Sequence, residues 1–281
     1  MSLSIYFLVI VAAFLHATWN GLVKSGLDKT MSMSAVVLGQ ALFGFGVLFL
    51  VPTPAFESWP YLLLSGALHV GYNVFLMSAY RIGDLTQVYP IARGLAPVLV
   101  TIVSIMVLGI QFQSLQLLAV ALIVLGIVSL ARVRQVDGGQ NHKAAVLAMI
   151  TGCFIASYSM IDGIGARVAG TGVGFYSYSA IIGCVMYFCT VPFWQPQVLG
   201  VLKTGKMVTV LGGGASFTAY AFVVYAFTQA PIALVTALRE TSIIFALFIG
   251  VFFLKERLDL GKVLSTFLTL TGAALMKLAK V

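Results

Sequence analysis

Ten stretches of about 20 mostly apolar residues follow one another through this chain, at roughly 3–23, 33–52, 59–80, 86–109, 115–132, 143–165, 172–194, 206–228, 232–254 and 260–278. A helix rising 1.5 Å per residue needs about that length to cross ~30 Å of bilayer hydrocarbon, so each stretch predicts a membrane-spanning helix. The joints run to about ten residues at most, which leaves no extramembrane domain to host a separate activity. Of the 281 residues 60% are hydrophobic and 9% charged, more apolar surface than a water-soluble domain can hide. No alternating barrel-type strands are seen. The expectation is an all-α polytopic membrane protein.

The first span lacks a basic start and carries His16, Trp19 and Asn20 where a small-residue cleavage site would lie, so it is read as retained rather than as a signal peptide. Cys153, Cys184 and Cys189 fall inside spans with no metal-ligand spacing, and are expected to be small buried hydrophobes. The formal net charge of +8 is explained by topology, without a nucleic-acid partner. Lys24, Lys29, Arg81, Arg132, Arg134, Lys143, Lys203, Lys206, Lys255, Arg257 and Lys262 fall on one set of alternating loops; Arg167, Lys277 and Lys280 fall on the other. The positive-inside rule makes the richer side cytoplasmic and puts both termini outside.

An internal repeat organises the chain. A displacement of 146 residues lays Arg93 on Arg239, Gly109-Ile110-Gln111 on Lys255-Glu256-Arg257, and Gly126 on Gly272. Nearer the start of each half, Trp19-Asn20-Gly21 lies over Ile161-Asp162-Gly163. The units are 1–135 and 143–281, joined by a polar cytoplasmic linker at 136–142. Five spans per unit is an odd number, so the second unit must insert upside down. Inverted repeats of this kind build secondary transporters, with the substrate site near the midplane between the halves.

The Trp19-Asn20 pair in the first span, the "LKER" at 254–257 closing the ninth, and the two five-span halves resemble the drug/metabolite transporter superfamily, in particular its EamA-type members. The resemblance implies ten helices around a central cavity lined by spans 1, 3, 4, 6, 8 and 9, and transport of a small polar metabolite across the plasma (cell inner) membrane. The chain departs from the family where a Gly-Glu signature ends the fourth span, because Gly109-Ile110 stands there. Glu256 thus has no symmetric partner, and a helix-end role suits it better than one that needs both halves.

An ionised side chain at a membrane helix centre costs ~2.5–3.5 kcal/mol on insertion scales, so it faces a cavity or a partner. Arg93, Asp162, Arg239 and Glu240 meet that description. Thr236, Arg239 and Ser242 share one face by three-residue spacing, with Glu240 turned about 100° away and free to meet a neighbouring helix. Either arginine is an anion-binding fork for a carboxylate or phosph(on)ate, or part of an interhelical ion pair. Thr86, Tyr89 and Arg93 share a face of span four, where Pro90 and Pro97 are expected to break the helix and free polar backbone. Asp162, one turn from Tyr158, suits a coupling proton or a substrate ammonium, unless it is simply wet at its helix end. His16 and Asn20 are substrate contacts or interhelical hydrogen bonds. Ser65, His69, Tyr72 and Asn73 make a polar stripe on span three. Trp19, Tyr72, Tyr89, Tyr158, Tyr176, Tyr178 and Tyr220 are candidates for an aromatic box, with interface belts as the alternative.

No H-E-x-x-H, nucleophile elbow or phosphate-binding loop is present, and no charged ring marks a channel. The chain is therefore read as a carrier, not an enzyme, with no cofactor or metal; a channel or a membrane-embedded enzyme is the lesser alternative. It is expected to export an amino acid or related zwitterion by alternating access; uptake of a small phosphonate or amine is the rival reading. Arg93 or Arg239 would hold the acid group, with Asp162 or Glu240 near the amine or proton. The expected partners are the small-molecule substrate, the lipid bilayer, a coupled proton or exchanged metabolite, and a second copy in a homodimer.

Overall fold

A computed structural model of the chain describes residues 2–26, 28–108, 114–132, 141–201, 205–256 and 260–278. The triplet 109–111, most of the linker, and Arg134, Lys203, Arg257 and Lys280 lie outside the described residues. The helices are α1 (Leu3–Ser25), α2 (Lys29–Val47), α3 (Trp59–Ile82), α4 (Leu85–Leu108), α5 (Ser114–Arg132), α6 (His142–Val168), α7 (Gly172–Thr190), α8 (Gly213–Gln229), α9 (Ile232–Arg239), α10 (Ser242–Phe248) and α11 (Leu260–Leu278). Among the described residues there is no strand. π-helical turns at Val208–Gly212 and Ile249–Phe253 extend α8 and α10.

Six helical runs among the described residues are long and apolar enough to cross a membrane: Leu3–Ser25, Lys29–Val47, Phe56–Ile82, His142–Val168, Gly172–Phe193 and Val208–Gln229. Phe45, Phe49, Phe193, Phe252 and Phe267 stand exposed on the outside, while Asn20, Asp162, Arg93 and Arg239 are buried inside. That reversal of the water-soluble pattern makes this a multi-pass membrane protein.

Short polar side chains set the helix starts. The Asp28 carboxylate accepts from the Thr30 and Met31 amides at 2.8 and 3.2 Å, which starts α2 at Lys29, four residues ahead of the apolar run. Asn141 and Thr171 cap α6 and α7 in the same way. Two expectations need correction. α4 runs unbroken from Leu85 to Leu108 through both prolines, because packing on α5, α6 and α11 holds it against two missing donors. The interruption falls instead in the ninth span, between α9 and α10. Cys184 is buried, but Cys153 and Cys189 face outward as free thiols.

Helix pairing survives exchange of the two halves. α1 packs on α8 as α6 packs on α3; α2 meets α7; α5 meets α11; α4 lies on α6 as α9 and α10 lie on α1. The aligned glycines give the finest evidence. A Cβ on Gly126 would come within 2.8 Å of the Ser265 carbonyl, and one on Gly272 within 2.7 Å of the Ala119 carbonyl. Each glycine thus meets the carbonyl seven residues before the other, in the same register. Basic residues at the ends of α1 and α6 repeat the pattern. Lys24 Nζ donates to the Tyr80 and Gly83 carbonyls at the end of α3. Arg167 donates to the Phe227 and Ala230 carbonyls at the end of α8, satisfying carbonyls that the helix itself leaves open.

Candidate polar site between the halves

Glu240 and Thr241 interrupt the ninth span. The Thr241 amide donates to Leu238 and the Ile243 amide to Glu240, bonds of three-residue span that turn the chain tightly. This leaves the Arg239 carbonyl open to an outside donor, and Arg93 Nη2 fills it at 2.9 Å. The same Nη2 lies 3.4 Å from Glu240 Oε1, an ion pair without hydrogen-bond geometry. The two aligned arginines are therefore brought together through the backbone of one of them. Tyr89 lies close to both arginines and to Ser242, and Thr86, Thr236 and Ser242 are likewise buried.

A second cluster is centred on Asp162, which is fully buried and not wet at its helix end. Its Oδ2 accepts from Tyr220 Oη at 2.7 Å and faces His69 Nε2 at 3.1 Å. His69 stacks on Tyr158 with ring centroids 4.3 Å apart, and Tyr72, Tyr176 and Tyr220 approach the imidazole from other sides. Tyr220 bridges the clusters, because Arg239 Cζ sits 5.1 Å above its ring while its hydroxyl holds the aspartate. Arg239 Nη1 also donates to Ser159 Oγ at 3.3 Å.

His16, Trp19 and Asn20 form a third group, joined to the first by the His16 ring 6.1 Å from that of Tyr89, and His16 Nε2 is buried without a partner. Trp19 Nε1 donates to His16 Nδ1, Asn20 Nδ2 donates to the His16 carbonyl, and Tyr80 Oη donates to Asn20 Oδ1 at 2.7 Å. Tyr80 on Asn20 is the counterpart of Tyr220 on Asp162. Tyr178 lies apart, beside the half-exposed Trp59. Sequence reasoning passed over Tyr80, Ser159, and the Gln40 bonds to Tyr176 and Ser216; Ser159 was legible, since it adjoins Tyr158 and lies three residues before Asp162 on α6.

Several buried atoms lack a hydrogen-bond partner: Arg93 Nε and Nη1, Arg239 Nη2, Asp162 Oδ1 and both Glu240 oxygens. Each such group costs about 1–3 kcal/mol or more when charged, and a concentration of them at one spot calls for an explanation. Two guanidinium and two carboxylate groups give the centre near-balanced charge with separate poles. Both arginines are only 2% exposed, so this conformation shuts them from solvent, and the central cavity expected from the sequence is not open around them. Glu256 does serve a helix end: its carboxylate accepts from the Leu85 and Thr86 amides at 2.8 and 2.9 Å, capping α4 and favoured by its dipole. No group of three or more His, Cys, Asp or Glu that could hold a metal occurs among the described residues.

None of the curated proteins matches this sequence. A protein solved as a crystal structure resembles the fold with a TM-score of 0.66, over 99% of this chain and 98% of its own, at 15% identity. At that identity the likeness concerns the fold alone. The EamA-like transporter family matches residues 3–132 and again residues 142–278. With nearly the whole of an apolar helical bundle taken in by those two matches, the chain belongs to the EamA-like transporter family and is a membrane transporter of the drug/metabolite type.

Proposed function

We propose that the chain is a secondary active carrier that exports a small zwitterion of the amino-acid class by alternating access. Ten spans form two five-helix units inserted in opposite senses, and the polar centre between them is the substrate site. The observation that carries this reading is the set of unpaired guanidinium donors on Arg93 and Arg239, contributed by aligned positions of the two halves. A carboxylate placed against Arg93 Nη1 and Arg239 Nη2 would satisfy both with charge-assisted bonds, and Asp162 Oδ1 would receive the ammonium. Tyr72, Tyr158 and Tyr220 would shape the rest of the site. His16, Trp19 and Asn20, which bond to one another, support α1 against α3. The closed centre corresponds to a state between the two openings. Lys24 and Arg81, with Asn141 on the Ile82 carbonyl, gather at one end of the bundle, taken as cytoplasmic; Arg167 lies at the other.

Proteoliposomes preloaded with unlabelled amino acids test this. Radiolabelled proteinogenic amino acids, supplied as a mixture outside, should enter by saturable counterflow. Arg93→Ala and Arg239→Ala should each lower that flux by about tenfold or more, the equivalent of one charge-assisted bond. Flux without counterflow would mark a channel, and product formation an enzyme; either overturns the proposal, as do two variants with wild-type flux.

A further inference from the structure

We infer that His69 and Asp162 form the site of a coupled proton, reached through a cleft between α2, α3 and α7, and that proton and substrate exclude each other there. This rests on the carrier reading above. Gln40, His69, Asn73, Tyr176 and Ser179 line the cleft. It leaves about 10 Å³ for the centres of water-sized molecules, room for one water and not for a metabolite. His69 stands between this cleft and the aspartate: its side chain is 17% exposed, whereas that of Asp162 is 0% exposed.

The carboxylate makes His69 Nε2 the donor nitrogen, which leaves Nδ1 as the acceptor for an incoming proton. A proton passing from water in the cleft to Nδ1 turns the ring into an imidazolium paired with Asp162 Oδ2. It leaves from the same nitrogen to water once the carrier has turned to the other side. The groups facing the dyad are Tyr72 of α3, Tyr158 of α6, Tyr176 of α7, Tyr220 of α8, and Arg239 of α9 above the Tyr220 ring, with His16 of α1 close enough to feel a charge on His69. Asp162 is the one anion among them. A single buried carboxylate cannot neutralise an imidazolium and a substrate ammonium together. Occupancy by one therefore expels the other, and the exchange of an inward proton for an outward zwitterion follows.

The test uses the same proteoliposomes and labelled amino-acid mixture. With one proton per substrate, a vesicle interior about one pH unit more acidic than the outside should raise accumulation by up to about tenfold over equal pH, and the reversed gradient should not. In His69→Gln the ratio of gradient-driven to gradient-free accumulation should fall to one. Wild-type counterflow that ignores the gradient, or responds to it in the opposite sense, overturns the inference while leaving the carrier intact. So does a His69→Gln protein that stays gradient-driven. Should wild type show no counterflow, the carrier reading fails; should His69→Gln show no flux, the ratio is undefined. In both cases ¹⁵N-histidine NMR of wild type in nanodiscs decides. The signal absent from His69→Gln should titrate, with a midpoint that changes in Asp162→Asn; a His69 ring fixed in one protonation state across pH of about 5–9 overturns the dyad.

Discussion

Replacing Arg93 by Met leaves Glu240, 2% exposed, as a buried carboxylate facing a thioether, and the penalty can be worked from the geometry. At 3.4 Å and an effective dielectric constant of about 20, the Coulomb attraction between the pair is about 5 kcal/mol. Desolvation offsets much of this in the intact pair, yet removing one partner exposes it in full, so Arg93→Met should cost about 3–5 kcal/mol. The Arg239 carbonyl also loses its donor. Glu240→Gln should cost less, about 1–3 kcal/mol, because Arg93 keeps that carbonyl. The double variant Arg93→Met/Glu240→Gln removes both charges and should be more stable than Arg93→Met alone, by about 1 kcal/mol or more. Equilibrium unfolding in mixed micelles measures all three against wild type. Costs that simply add would refute the ion pair as an energetic unit. Transport separates stability from function: counterflow should stay lost in the double variant even where stability returns.

Other outcomes follow from the scaffold. Glu256→Ala should destabilise the protein by about 1–2 kcal/mol through loss of the α4 cap, read as a lowered melting temperature; Glu256→Gln should recover part of it. Gly126→Ala and Gly272→Ala should each cost about 1–3 kcal/mol by overpacking against fixed backbone, and by similar amounts, since the two face equivalent carbonyls. An unequal pair, one neutral and one severe, would contradict the reciprocal register. Tyr220→Phe removes the hydroxyl that holds Asp162 and should lower counterflow about tenfold, with a stability cost of about 1–3 kcal/mol because the buried carboxylate loses a donor.

The register of the repeat was legible because glycines and arginines are rare against an apolar background. Gly126 and Gly272 align in the sequence and meet reciprocally in the fold; Arg93 and Arg239 align and touch. The break at Glu240 was hidden, since nothing in "ALRETS" carries a helix-breaking side chain. Only the tertiary demand of Arg93 for a carbonyl and a carboxylate makes sense of it. Prolines misled for the converse reason: the packing that holds α4 is invisible from its own residues. Lys24 and Arg167 entered the sequence reading as loop charges, and their work on the carbonyls of α3 and α8 depends on chain ends about 60 residues away.

Alternating exposure of the polar centre is tested most directly at Thr236, three residues before Arg239 on α9 and buried with an unpaired hydroxyl. In a variant with Cys153, Cys184 and Cys189 changed to Ser, Thr236→Cys in oriented membrane vesicles should react with a membrane-impermeant thiol reagent applied from either face, and more slowly when the amino-acid mixture is present. A thiol that never reacts, or reacts from one face alone under every condition, would contradict a centre that opens to each side in turn.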